Sequence, residues 1–560
     1  SLYGSAVLTN MTSLTVSGTG GSITITNGGV VTLSGASVSI GSDCLVKIVG
    51  GGLLSSDHTL YSQVGLVGND GLLLVSGSNS VLEGRDVTSG QGVGHLAIGV
   101  GTSRNTARIE NGGMVTNLNV AVGQGAAATG NMLVITNGGK VYSTSTYESY
   151  IGWIQASAPT YVVGNTGIVT GVGSLWDLAS TVLEIGRGGK DNTLLVTDSG
   201  VVTNITTLYL PFSDGTGGGY AASYGAANNS LVIANGGKLY QTGSGAPYIG
   251  WFSASASNSV LVTGNSSIWN LGGGNLTIGA AGTTTGNVVT IDQGATVDNI
   301  GTLTVAANNA LNLFGGTLGV ANTIWTTNQL QLGGGAQAMT LKALSGSLIF
   351  SNGLVVASNG LLTGTGSVRG GMPGIAITNG GVFAPGLDGP GTLSVSNFAW
   401  HCGGVYRFEI TNFIGTPGVS WDLLNVSTQL TFTTNASMAG TNFVLRVDTL
   451  GTPAANFDSN SVYHLKIMTY GTLTQFDAAR FTIATDAFAN VNNGTWGLTN
   501  SGTNLYLTYM PAVPTNTLFD EWDAPSNGYW TADMNWKDRS APEVGNPTKI
   551  LKFGGFGGYG

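Results

Sequence analysis

Apolar and polar residues alternate with period two along most of the chain, and the alternation is repeatedly interrupted by glycine. Ile23-Thr-Ile-Thr-Asn-Gly-Gly-Val30, Arg108-Ile-Glu-Asn-Gly-Gly-Met-Val115 and Ile375-Ala-Ile-Thr-Asn-Gly-Gly-Val382 share one plan. Each is an alternating strand, an Asn-Gly turn and a second strand. Period two is the signal of a half-buried pleated strand, and Val, Ile, Leu and Thr suit that surface. Asn-Gly supplies the positive φ of a tight turn. No segment carries a 3.6-residue apolar stripe with capping residues, so very little helix is expected.

The units also recur at longer range. Leu133-Val-Ile-Thr-Asn-Gly-Gly-Lys-Val-Tyr142 returns as Leu231-Val-Ile-Ala-Asn-Gly-Gly-Lys-Leu-Tyr240, and Tyr150-Ile-Gly-Trp153 as Tyr248-Ile-Gly-Trp251. Ser174-Leu-Trp-Asp-Leu178 answers to Ser267-Ile-Trp-Asn-Leu271. A sandwich does not explain self-similarity over some 390 residues, whereas stacked coils do, because one coil cannot bury its apolar side alone. The expected fold is all-β: a parallel β-solenoid, or β-helix, of the right-handed type. At about 20 residues and about 4.8 Å per coil, residues 1–390 would form a rod on the order of 90 Å long.

Composition narrows the function classes. Of 560 residues 92 are glycine, yet only 13 are proline, which excludes collagen. Hydrophobic residues make up 42%, too many for a disordered polyelectrolyte. Charged residues make up only 8%, and the net charge of −9 argues against a nucleic-acid partner. No apolar run is long enough for a membrane-spanning helix. Cys44 and Cys402 read as isolated or buried thiols. The chain begins at Ser1 with neither an initiator Met nor a basic-then-apolar leader. That is expected of a secreted chain whose signal has been removed, or of a piece of a longer one.

Three parts are expected. Residues 1–390 are the Gly-rich solenoid with Asn-Gly-Gly repeats, and they hold 25 charged residues. Residues 391–513 have longer, more ordinary strands and read as an all-β terminal or capping region, either wider coils or a small sandwich. Residues 514–560 form a Trp- and Gly-rich segment that ends Phe553-Gly-Gly-Phe-Gly-Gly-Tyr-Gly560.

Particular stretches resemble a known family. They are the recurring strand-Asn-Gly-Gly and Ile-Gly units; the run Phe383-Ala-Pro-Gly386, Gly391-Thr-Leu-Ser-Val395, Trp421-Asp-Leu-Leu-Asn-Val426 and Leu450-Gly-Thr-Pro-Ala-Ala-Asn-Phe457; and Trp530, Asn535-Trp536 and Phe553-Gly-Gly555. Together they are similar to the autotransporter-associated β-strand repeat proteins of Verrucomicrobia, Lentisphaerae and Planctomycetes-type bacteria. The resemblance implies export, a β-helical rod and a surface or matrix role, and it brings no catalytic residues. One feature departs from it. The Trp…Asn-Trp segment usually opens a unit, whereas here it closes the chain. Two readings follow. In one, the C-terminal segment docks on the first coils of the next copy by strand addition, through Trp522, Trp530, Asn535, Trp536, Phe553, Phe556 and Tyr559. In the other, the chain is a fragment of a tandem protein and this segment starts the next unit.

Candidate chemistry is sparse. A polysaccharide-cleaving β-helix needs clustered carboxylates on one face. Asp177 with Glu184, and Asp191 with Asp198, are spaced so loosely that they read as solvated surface. His58, His95, His401 and His464 have no partner at metal-ligand spacing, and no nucleophile elbow, phosphate loop or zinc motif appears. Asp520, Glu521, Asp523, Asp533 and Asp538 read as a solvated acidic run, with calcium at a subunit joint as the alternative. The aromatic pairs Tyr150/Trp153 and Tyr248/Trp251, with Trp176 and Trp269, fit either a sugar-stacking track or a ladder of equivalent rings packing on one another. The expectation is thus a non-enzymatic extracellular or cell-surface structural subunit without a cofactor. Its partner is a second copy, head to tail; an adhesin or glycan-binding stalk that takes cell-surface or matrix polysaccharide is the alternative, and a polysaccharide-active enzyme comes third.

Overall fold

The computed structural model describes residues 1–512, except 5, 35–37, 59–62, 87–93, 145–146, 155–161, 212–225, 244, 252–254, 280–283, 327–328, 345, 351, 371–373 and 435–441; beyond these it describes the backbone of the two short strands 519–521 and 550–552. The chain is a β-solenoid. Each coil supplies three strands, as in Thr106–Glu110, Met114–Thr116 and Asn119–Gln124, followed in the next coil by Met132–Thr136, Lys140–Tyr142 and Ser149–Trp153. Apart from antiparallel pairings at the far end, the coil strands pair in parallel with their counterparts one coil away, for example Ile109 with Ile135 and Val115 with Val141. The side chains that alternation turns inward, such as Leu133, Ile135, Val141 and Ile151, are fully buried in one continuous core.

One face is an 11-stranded sheet that runs from Ser22–Ile25 to Ala310–Leu313. Ten steps of about 4.8 Å make it about 48 Å long. The other two faces merge into one sheet, because long strands such as Leu175–Arg187 and Ala295–Val305 bend through a bulge and belong to both. The sole described helical turn is the 3₁₀ element Ala478–Arg480.

The Asn-Gly-Gly units are corners, not hairpins. Their two strands lie on different faces, and each bonds to a neighbouring coil. At Thr136-Asn-Gly-Gly139 the amide of Gly139 donates to Thr136 O at 2.9 Å, while Asn137 and Gly138 both have positive φ, 47° and 78°. That is the two-residue turn which Asn-Gly favours. The second glycine has a different task. Gly139 has ordinary φ, but a Cβ there would collide with the carbonyl of Ile109 in the preceding coil, and one at Gly237 with that of Val196. The first glycine permits the turn and the second permits the stacking.

Coils are longer than the expected 20 residues where the asparagines described next are stacked, spanning 22 to 37 residues there. Near Leu344–Gly386 the spacing falls to 21–23 residues, and in the last coils it reaches 44. The duplicated units, 98 residues apart at Leu133 and Leu231, are offset by three coils. Trp176 aligns in turn with Val202, Leu239 and Trp269, so its sequence equivalent lies three rungs away.

A buried asparagine ladder, not anticipated from the sequence, runs along one corner. Asn105, Asn131, Asn165, Asn192, Asn229, Asn258, Asn287 and Asn309 sit in successive coils and are buried. Each of the first seven donates its backbone N–H and its side-chain amide to the Oδ1 of the next; from Asn131 to Asn165 these bonds are 3.0 and 2.9 Å. The residue before each ladder asparagine is left-handed: Arg104, Gly130, Gly164, Asp191, Asn228, Ser257, Gly286 and Asn308. The Ile-Gly motif belongs to the same corner. Gly99, Gly152 and Gly186 lie directly against Asn131, Asn192 and Asn229, and any Cβ would overlap those amides.

The parallel ladder continues past residue 390 through Val405–Glu409, Phe443–Asp448 and Phe481–Ala487. The interior there turns aromatic. Trp400 packs within 5.2–6.1 Å of Phe383, Phe432, Phe443 and Phe481, and donates to Gly404 O at 2.8 Å. A second cluster of Phe413, Phe457, Tyr463, Phe488, Trp496 and Tyr509 closes the end. An antiparallel pair, Thr495–Ser501 with Asn504–Met510, ends one ladder.

Candidate functional site

Aligning the strands that end in Ile-Gly generates one straight outward row. Register places Ala97, Ala121, Tyr150, Glu184, Tyr209, Tyr248, Thr277, Thr304 and Trp325 side by side in consecutive coils. Their neighbours Ile98, Val122, Ile151, Ile185, Leu210, Ile249 and Ile278 point into the core. Period two therefore forces the row outward, and four of its nine members, Tyr150, Tyr209, Tyr248 and Trp325, are aromatic.

The row and its margin form a compact cluster. Tyr150 and Trp153 have ring centroids 4.9 Å apart, with His95 at 5.9 Å from Tyr150. Two rungs on, Tyr209 and Tyr248 stack at 5.6 Å with their planes 7° apart, and Trp251 stands edge-on to Tyr248 at 3.8 Å. Between them, Arg187 Nη1 donates to Glu148 Oε1 at 2.9 Å and Glu184 Oε2 at 3.2 Å, and its guanidinium lies 5.8 Å from the Trp153 ring. Desolvation holds the His95 imidazole below its usual pKa, only partly offset by Glu148, so it is neutral at neutral pH. Burial, reinforced by the Glu148 and Glu184 carboxylates, lifts the Tyr150 hydroxyl well above the ordinary range.

These positions change the reading of several residues. Glu184 is not solvated surface: its side chain is only 3% exposed, held between Tyr150 and Tyr209 and paired with Arg187. Its outward position could have been read by aligning Glu184-Ile-Gly186 with Tyr150-Ile-Gly152 and Tyr248-Ile-Gly250. Asp177 binds Asn204 in the next coil at 2.9 Å. Trp176 and Trp269 are core residues, and their indole N–H groups donate to Ser143 and Gln241. With Val202 and Leu239 between them, they do not pack on one another as a ladder. Tyr150 is buried, whereas Trp153, Tyr209, Tyr248 and Trp251 are half-exposed.

A second polar cluster brackets the last coils. Asp422 accepts from Gly391 N at 2.9 Å and Glu409 N at 2.8 Å, and Arg407 pairs with Glu409 at 2.8 Å. Burial raises the pKa of both carboxyls, that of Asp422 well above the ordinary value. These groups tie backbone to backbone and are structural. Cys44 and Cys402 are free and buried. Among the described residues there is no group of three or more His, Cys, Asp or Glu arranged to hold a metal ion, and no helix long and apolar enough to cross a membrane. Trp522, Trp530, Asn535, Trp536, Phe553, Phe556 and Tyr559 lie outside the described residues, as do Asp523, Asp533 and Asp538.

No known family model matches the chain, and no curated protein matches it. Among solved structures it is similar to the crystal structure of a TibC-catalysed, hyper-glycosylated TibA fragment, at 12% identity over 81% of this chain and 98% of that one, with a TM-score of 0.22. A likeness of that size carries no argument, and the solenoid rests on the strand pairing described above.

Proposed function

We propose that the chain is a structural rod of a bacterial surface or extracellular assembly, lengthened by adding coil to coil between copies. The supporting observation is the state of the two ends. Among the described residues the first-coil strands Val7–Met11 and Leu14–Val16 pair on one side only, Ser22–Ile25 is met on its outer edge by Leu2 alone, and Tyr3, Val7 and Leu8 are 63%, 58% and 40% exposed. At the far end Phe481–Ala487 pairs on one side only among the described residues. Beside it lies a groove of about 340 Å³ lined by Phe481, Ile483 and Trp496. The Trp496 indole nitrogen there is buried and has no hydrogen-bond partner among the described residues. Unpaired strand edges are templates for another strand. A head-to-tail contact that does not close makes a filament.

The segment 514–560, with its aromatic residues, is the element of this reading that reaches the first coil of the next copy. Deleting residues 518–560 tests it, with particle length read by electron microscopy and light scattering. Short particles are expected; unchanged polymerisation would remove the segment's role. A second reading, an adhesive stalk, is favoured by the aromatic row. It suits binding better than catalysis, because Glu148 and Glu184 are both held by Arg187.

A further inference from the structure

We infer that the aromatic row from Trp153 to Trp251 is a binding site for a neutral polysaccharide chain laid along the rod axis. Four half-exposed rings, Trp153, Tyr209, Tyr248 and Trp251, lie along the row with the half-buried ion pair of Arg187 and Glu184, on a molecule that otherwise carries few charges. A pyranose whose hydroxyls are equatorial has flat C–H faces and a polar rim. It requires ring faces or edges beside fixed donors and acceptors. The site offers both. Tyr209 and Tyr248 present a stacked pair, and Arg187, Glu148 and Glu184 supply polar groups already locked by one another. Locked groups lose little freedom when a ligand binds.

The direction of the ligand follows from the register. Tyr150, Glu184, Tyr209 and Tyr248 occupy consecutive rungs, so the row covers three steps, about 14 Å. That length accepts a short stretch of an extended chain running parallel to the axis. Farther along the row stand Thr277, Thr304 and the half-exposed Trp325, which prolong the track with hydroxyls and one more ring. Charge selects against acidic polymers. Glu148 and Glu184 both bond to the Arg187 guanidinium, so an added carboxylate or phosphate would have to compete with them for it. Polyuronates and phosphate-bearing chains are disfavoured there. Burial of Tyr150 beneath Trp153 and His95 makes it a support for the platform rather than a contact.

The test uses the full chain in affinity electrophoresis and calorimetry against soluble neutral β-glucans, xylo-oligosaccharides and chito-oligosaccharides, with alginate as the acidic comparison. At least one neutral polymer is expected to bind, and alginate is not. Trp251→Ala and Tyr209→Ala should each weaken binding tenfold or more with an unchanged melting temperature. Phe314→Ala, an exposed ring outside the row, should bind as the parent does. The inference fails if no neutral polymer binds, if alginate binds equally well, or if the variants retain full affinity. Weakened binding that only accompanies a lowered melting temperature also sinks it, since the rings would then be packing rather than contacting ligand. Particle length is unaffected by any of these outcomes, so the end-to-end reading stands or falls separately.

Discussion

The coils of residues 105–309 and those of residues 383–509 solve the same stacking problem with different chemistry. The first set has a mainly aliphatic interior, with Trp176 and Trp269 as its buried indoles, and a corner ladder of buried asparagines. The second has no such ladder among the described residues and fills its interior with interlocking rings around Trp400 and Phe432. A coil in the middle of the rod is covered on both sides, so aliphatic residues fill most of its interior, and the danger is slippage. A buried amide that bonds to the amide one coil away fixes the register. In the last described coils bulky rings fill the interior, and their packing on one another holds the coils together.

Removing the largest ring tests the second half of that contrast. Trp400→Ala should destabilise the end by about 3–5 kcal/mol. Hydrogen exchange should rise in 392–448 while the strands of 106–197 stay protected. In the ladder, Asn192→Ala strands the amides of Asn165, which bond to Asn192 Oδ1 at 3.0 Å. About 3 kcal/mol is expected, since each buried unsatisfied group costs about 1–3 kcal/mol. Here exchange should rise on both sides of residue 192 and not at the aromatic end. Equal effects of the two substitutions on both regions would erase the distinction.

The two glycines of one corner sharpen it further. Gly139→Ala should cost about 2–3 kcal/mol by forcing neighbouring coils apart. Gly138→Ala should cost about 1 kcal/mol, the strain of a left-handed alanine, with both read from melting curves. The reverse order would show that turn strain, not coil spacing, dominates. A pH series probes the bracket at the aromatic end. Burial raises the Asp422 and Glu409 pKa values, so the folded state holds these protons more tightly than the unfolded state. Stability contributed by the protonated groups is therefore present at low pH. It is lost as pH rises from the ordinary carboxylate value through the raised one. The melting temperature of Asp422→Asn should depend less steeply on pH than that of the parent. The smallest effect is expected at Arg104, whose exposed pair with Asp70 spans two coils; Arg104→Ala should leave the melting temperature unchanged within error.

Much of this was legible in the residues. Period-two alternation and the recurring Asn-Gly-Gly corners specify strands, turns and stacking, because each is a local or repeated constraint. The outward row was half legible: Tyr150/Trp153 and Tyr248/Trp251 stood out by identity, whereas Glu184 did not, since a lone carboxylate carries no sign of burial. The asparagine ladder was hidden for a related reason. In an Asn-rich chain, Asn131 or Asn165 looks like any turn residue until its counterpart is known to lie 34 residues away.

What the sequence determined alone is the coil: which side chains face in, where the chain turns, and that glycine must sit there. What only the tertiary structure decided is alignment between coils whose lengths vary from 22 to 37 residues. That alignment makes neighbours of Tyr150, Glu184 and Tyr209, and it makes one chain of eight separate amides. The physical reason is that loop length between rungs is almost free to vary, whereas hydrogen-bonded register between rungs is not.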